Sequence, residues 1–308
     1  MDTGGHGTDM AALIAGTGEG NGIQGLAPGA EILPIRVTLG GVSLGGTERF
    51  AEGIIHAIES GAKIINISQG GTMPHDELSE AVALAARHDV LVFASAGNAG
   101  DTTNHLEDPV SLPGVVGVGA VDSNGERSPY STYGPQVTLA APGDDVPRHC
   151  GDLTGPACIQ DEGGTSSATA LASASAALIW ARHPDWTKNQ VLRVMLNTAE
   201  RPDDQRRDDY TGYGIVRPDR VVLDGEGDPG DPDSPPVFRD WEAALDPPAT
   251  PAPTPDADPT PDAEPAPGPE AEPAATSDNA SPLPWMLGTG AAVLATGSVG
   301  WLLWRRRS

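Results

Sequence analysis

Basic residues are scarce in this 308-residue chain: 18 Lys and Arg stand against 43 Asp and Glu, a formal net charge of −25. So acidic a surface argues against nucleic acid and anionic lipid headgroups as partners. The N-terminus, MDTGGHGTDMAALIAG, lacks a basic stretch followed by an apolar one, so it offers no export signal. There are two cysteines, Cys150 and Cys158, and no metal motif includes them. Their even number is compatible with one disulfide in an oxidising compartment, with two reduced thiols as the alternative. Aromatics make up 4% of the chain and are nearly missing from residues 224–283. That segment also carries more than half of the charge imbalance, which excludes a single compact acidic globule.

The chain divides into parts of different composition. Residues 1–223 read as one α/β domain. Apolar runs of strand length recur at Ile32–Val37, Ile64–Ile67, Val90–Ala94 and Val115–Val118, several without polar alternation, as in strands covered on both faces. Helical stripes lie between them: Phe50, Ile54, Ile55 and Ile58, then Leu78, Ala81, Val82 and Ala85. The alternation predicts a mostly parallel central sheet with helices on both faces. An Ala-rich stretch, roughly Ser167–Arg182, predicts a helix buried at close range.

Residues 224–283, rich in Pro, Ala, Asp and Glu, predict a disordered, extended linker, although Phe238 and Trp241 near its start are placed to pack back on the domain. Residues 284–304 are free of charge and long enough to span a bilayer, with Trp285, Trp301 and Trp304 near the ends. Arg305, Arg306 and Arg307 follow within the basic tail 305–308. This pattern predicts a single transmembrane helix in the cell membrane, lipid contact through that helix, a cytoplasmic tail, and the large domain outside.

Three short motifs carry the chemistry. They are Gly5-His6-Gly7-Thr8, Ser95-Ala96-Gly97-Asn98, and Gly163-Gly164-Thr165-Ser166-Ser167-Ala168, which opens the Ala-rich helix. Each alone has an ordinary reading: a surface histidine, a turn asparagine, a helix-capping serine. Together, and in this order, they resemble the subtilisin-like serine proteases. Supporting stretches include Asn66-Ile67-Ser68-Gln69-Gly70-Gly71, Ala141-Pro142-Gly143 and Gly212-Tyr213-Gly214.

The resemblance implies His6 as general base, Ser166 as nucleophile and Asn98 as oxyanion donor. It implies Ser68, Gln69, Gly70 and Gly97 as the surface that takes an extended peptide. The chemistry needs no cofactor. Calcium is common in the superfamily as a structural ion, yet no calcium loop can be identified in this sequence. The family's Pro four residues after the nucleophile is Ala170 here.

The family's triad aspartate ends a strand well before the histidine. Asp2-Thr3-Gly4 has the right letters without the strand, so the triad aspartate is read as absent and Asp2 as unlikely to serve; Asp9 suits a first-turn stabiliser of the histidine helix. One preceding segment, holding an export signal, the first strand and the aspartate, would account for both absences. The layout of protease, Pro-rich linker, apolar helix and Arg tail resembles the mycosins of type VII secretion, implying a membrane secretion complex as partner. A peptide-binding scaffold with the same fold is the alternative. An esterase is disfavoured by the lack of a G-x-S-x-G elbow.

Overall fold

The computed structural model describes residues 5–39, 42–43, 48–71, 76–150, 156–159, 163–201 and 206–245. Its centre is a parallel sheet in the order β3 (Ile64–Ile67), β4 (Leu91–Ser95), β5 (Val115–Val121), β6 (Val137–Pro142). Two small antiparallel hairpins accompany it: β1 (Thr38–Leu39) with β2 (Val42–Ser43), and β7 (Pro147–His149) with β8 (Ala157–Ile159). The helices are α1 (His6–Ala15), α2 (Glu48–Glu59), α3 (Asp76–Arg87), α4 (Thr165–Arg182), α5 (Lys188–Thr198), α6 (Pro218–Val222) and α7 (Arg239–Leu245).

Strand alternation sorts the core into two layers. Leu91 and Phe93 of β4, with Val116 and Val118 of β5, face α4 and α5. Val92 and Ala94 of β4, with Val115 of β5, face α2 and α3 through Ile54, Leu78 and Val82. The sheet is thus covered on both faces, which is why its strands read as unbroken apolar runs. Helix α4 lies against the sheet on Ala168, Ala172 and Ala176, spaced four apart on one face and fully buried, while Ala170 is buried on the side of α1. Side chains this small let the helix backbone approach the strands closely.

Three expectations are adjusted. Residues 32–37 form no ladder with any strand among the described residues, and Ile32 and Leu33 are exposed; a strand exists only by pairing with a neighbour. Helix α4 starts two residues earlier than the Ala-rich run suggests, at Thr165. The third concerns the membrane: among the described residues, no helix is long and apolar enough to cross one. The single-pass helix, the lipid-bilayer partnership, the cytoplasmic tail and the cell-membrane placement are therefore not supported. The 18-residue α4 buries its small side chains against protein, not lipid, and residues 284–308 lie outside the described residues.

Beyond residue 223 the chain keeps to the domain. Arg193 of α5 donates to the carbonyls of Pro229 (2.7 Å), Asp231 (2.9 Å) and Ser234. Phe238 packs on the α4 layer and Trp241 on the α3 layer, where its ring fills the space a side chain at Gly114 would need. Lys188 ties α7 down through both carboxylate oxygens of Glu242, each at 2.8 Å.

Candidate active site

Parallel strands put their C-terminal ends on one edge, where α/β proteins place their ligands. Ser68, Gln69 and Gly70 follow β3, Gly97 and Asn98 follow β4, and α4 begins with Thr165 and Ser166. Helix α1, which brings His6, packs on α4 and the β7–β8 hairpin through Met10, Leu13, Val146 and Ala170. Ala170, which stands where the family has proline, is fully buried against this helix.

The structure brings His6 and Ser166 together at one oxygen. His6 Nε2 lies 3.1 Å from the Ser68 carbonyl, and Ser166 Oγ donates to the same carbonyl at 3.0 Å. Neither bonds the other in this arrangement: a carbonyl partner means that Nε2 carries the ring proton here, so taking the serine proton needs the other tautomer as well as a rotamer change of Ser166. Ser68 is itself pinned, since its Oγ donates to the Ser166 carbonyl (2.9 Å) and accepts from Asn66 Nδ2 (3.0 Å). Asn66 Oδ1 accepts from Ser173 Oγ of α4 at 3.1 Å. A chain of polar contacts therefore runs from inside the helix to the strand end.

Asn98 is oriented by its own acceptor. Oδ1 takes Thr165 N–H (3.0 Å) and Thr165 Oγ–H (2.9 Å), capping α4 from outside the helix. Nδ2 is thereby turned toward Gly164. A side chain added at Gly164 would place its Cβ 3.7 Å from Asn98 Nδ2 and 3.9 Å from Ser166 N. The first-turn N–H of Ser166 has no acceptor within the helix. Asn98 Nδ2, Ser166 N and, at 4.0 Å from the same point, Arg148 Nη2 thus border one small space at the start of α4, with the positive end of the helix dipole behind it.

The turn before the helix is braced from below. Asp144 accepts from Ser128 Oγ and Tyr130 OH, each at 2.6 Å, and lies where a side chain at Gly163 would go. Burial, and then the Asp144 carboxylate, push the Tyr130 phenol above its ordinary range. The hairpin at the other side is closed by a Cys150–Cys158 disulfide with a Cα separation of 5.8 Å. His149 of that hairpin bonds Asp9 of α1 at 2.6 Å, so Asp9 links two elements besides standing in the first turn. Arg148 Nη2 approaches Ser167 Oγ at 3.4 Å, and its Nε is the one buried side-chain polar atom without a partner among the described residues.

Among the described residues no carboxylate bonds His6, and Asp2 lies outside them. Also among those residues, no group of three acidic, His or Cys side chains is arranged to hold a metal. Sequence reasoning left Asn66, Ser173, Asp144 and Glu107 without roles. Asn66 had a signal, standing two residues before Ser68 in a quoted motif; Ser173 is one small residue in a run of them, and only the fold shows its partner.

A serine hydroxyl, an imidazole and convergent N–H donors at the ends of parallel strands are the groups that serine hydrolases on α/β sheets use. Comparison with known proteins narrows the class. The family model described as the subtilase family matches residues 1–214. The chain belongs to the subtilase family. The thermostable alkaline protease of Halalkalibacterium halodurans is 36% identical over 198 residues, 64% of this chain and 53% of that protein. Subtilisin Savinase of Lederbergia lenta is 33% identical over 199 residues, 65% of this chain and 71% of that protein. Among solved structures, MycP1 from Mycobacterium smegmatis superposes with a TM-score of 0.67 at 25% identity, covering 76% of this chain and 74% of that one. The chain spans about half the length of the alkaline protease it matches (53%).

Proposed function

We propose that this protein is a serine-type endopeptidase that cleaves extended protein segments. The observation that carries the reading is the meeting of Ser166 Oγ and His6 Nε2 at the Ser68 carbonyl, beside the donors Asn98 Nδ2 and Ser166 N.

Ser68, Gln69 and Gly70 offer a backbone edge for a substrate strand, with Gly97 opposite. Binding there brings the scissile carbonyl over Ser166. His6 accepts the hydroxyl proton as Oγ attacks the carbonyl carbon. The negative charge moves onto the carbonyl oxygen, between the Asn98 amide and the Ser166 N–H, a contribution of about 3 kcal/mol per side-chain donor. Collapse breaks the C–N bond, and His6 returns the proton to the leaving amine. Water, deprotonated by His6, then attacks the acyl-enzyme and restores the serine. A carboxylate on the far ring nitrogen fixes the imidazole tautomer, and its loss costs about 10⁴ in turnover in analogous triads.

Likeness to MycP1 and to the MycP3 protease, whose structures are described as coming from type VII secretion systems, supports work alongside such a system. Treatment of the folded chain with a fluorophosphonate probe tests the chemistry. Labelling is expected on Ser166 and lost in Ser166→Ala. Labelling that persists in Ser166→Ala would overturn the nucleophile; no labelling of folded protein would favour a peptide-binding scaffold.

A further inference from the structure

We propose that Glu107 sets the substrate class, selecting lysine or arginine as the residue whose carbonyl is attacked. This rests on the endopeptidase reading for the place of the scissile carbonyl.

Gly70 and Gly97 come three and two residues after the ends of the paired strands β3 and β4, and Gly97 immediately precedes Asn98. A substrate strand lying on residues 68–70, with its carbonyl between Asn98 and Ser166, sends that residue's side chain between the two glycines. Neither glycine has a side chain to fill the gap. The carboxylate of Glu107, with the Thr132 hydroxyl on the Gly97 side, closes it instead. Its Oε2 lies 3.5 Å from where a Cβ on Gly97 would stand and would collide with one on Gly70. The loop carrying Glu107 is fixed there by an antiparallel pair: Gly71 N–H donates to Asp108 O at 3.1 Å, and Asp108 N–H to Gly71 O at 2.8 Å.

The charge on this floor is available. Oε1 is bonded by His105 Nε2 at 3.0 Å, and His105 Nδ1 meets Thr103 Oγ at 2.7 Å. A neutral imidazole satisfies both contacts, donating from Nε2 and accepting at Nδ1. Among the described residues no lysine or arginine pairs with Glu107. Its side chain is 21% exposed, against 51% for His105, so it sits recessed below its partner. A recessed carboxylate with one oxygen directed at a side-chain-free gap attracts a long cationic side chain. It also repels an acidic one, so both terms separate the two classes.

Binding of product-like tetrapeptides to the full chain tests this without requiring turnover. By calorimetry, a peptide ending in lysine is expected to bind about tenfold more tightly than its leucine counterpart, and a glutamate peptide most weakly. Glu107→Gln should erase the lysine preference, and Glu107→Arg should transfer it to the glutamate peptide. Equal binding of the lysine and leucine peptides, no binding of the lysine peptide, or a preference retained in Glu107→Gln overturns the proposal. The fluorophosphonate label on Ser166 separates the two readings. Labelling without a lysine preference defeats Glu107 alone; a lysine preference without labelling defeats the nucleophile and leaves the subsite standing.

Discussion

Asn98 has two parts to play with one amide: its oxygen caps α4, and its nitrogen faces the space proposed for the oxyanion. Two substitutions separate these. Asn98→Ala should lower kcat by about 10²–10³-fold, and should also lower stability by about 1 kcal/mol through the lost cap. Asn98→Asp keeps the acceptor at the helix start and removes the donor, so its thermal midpoint should stay near wild type while activity falls at least as far. Matched kinetics and melting curves check both. Tyr130 supports a pH prediction. Its phenol is raised above the ordinary value of 10.0 by burial and by Asp144. The folded state therefore holds that proton more tightly than the unfolded state. The stability from this group is complete below about pH 10 and is lost as pH rises beyond it. Melting temperature should fall more steeply above pH 10 in wild type than in Tyr130→Phe. The residues that sequence alone singled out are those in compact motifs; Glu107 escaped because its position beside Gly70 and Gly97 is made by the Gly71–Asp108 pairing, which no local pattern encodes.

Among the elements, those with their own apolar period were legible. Strands β3, β4 and β5 and helices α2, α3 and α4 each show in the sequence within a few residues of their observed bounds. Strand β6 did not stand out, because Thr138 and Pro142 interrupt a short apolar run whose burial comes from its neighbours. The β7–β8 hairpin has intermediate burial and three-residue strands, so it has no period to read. Its disulfide joins residues 8 apart. Closing so small a loop stabilises by about 2.5 kcal/mol in the chain-entropy picture. Urea unfolding with and without reductant should show a loss of that order, and a Cys150→Ser, Cys158→Ser double variant should be insensitive to reductant. Helix α7 makes the opposite case: at seven residues it has no stability of its own and is held by Trp241 and the Lys188–Glu242 pair.

The folded unit, taken whole, extends past the point where composition changes. Residues 224–245 read as linker on charge and proline, yet they carry the Arg193 contacts, Phe238, Trp241 and Glu242. A chain ending at 245 should therefore be more stable than one ending at 223. The shorter form exposes apolar surface on both layers and leaves Lys188, almost buried, without its carboxylate. A loss of at least about 3 kcal/mol is expected from ending the burial of two aromatics and breaking one recessed ion pair, measured by urea denaturation of the two forms. Composition reports on average behaviour over tens of residues; a single arginine and two aromatics are too few to shift it.

The Arg193 clasp bears on the protein's survival among other proteases. By gripping three backbone carbonyls between residues 229 and 234, Arg193 holds an acidic, proline-rich stretch on α5, where it cannot straighten into a protease's cleft. Loosening this grip, by Arg193→Ala, should speed limited proteolysis of that stretch by an added protease, followed on gels against wild type.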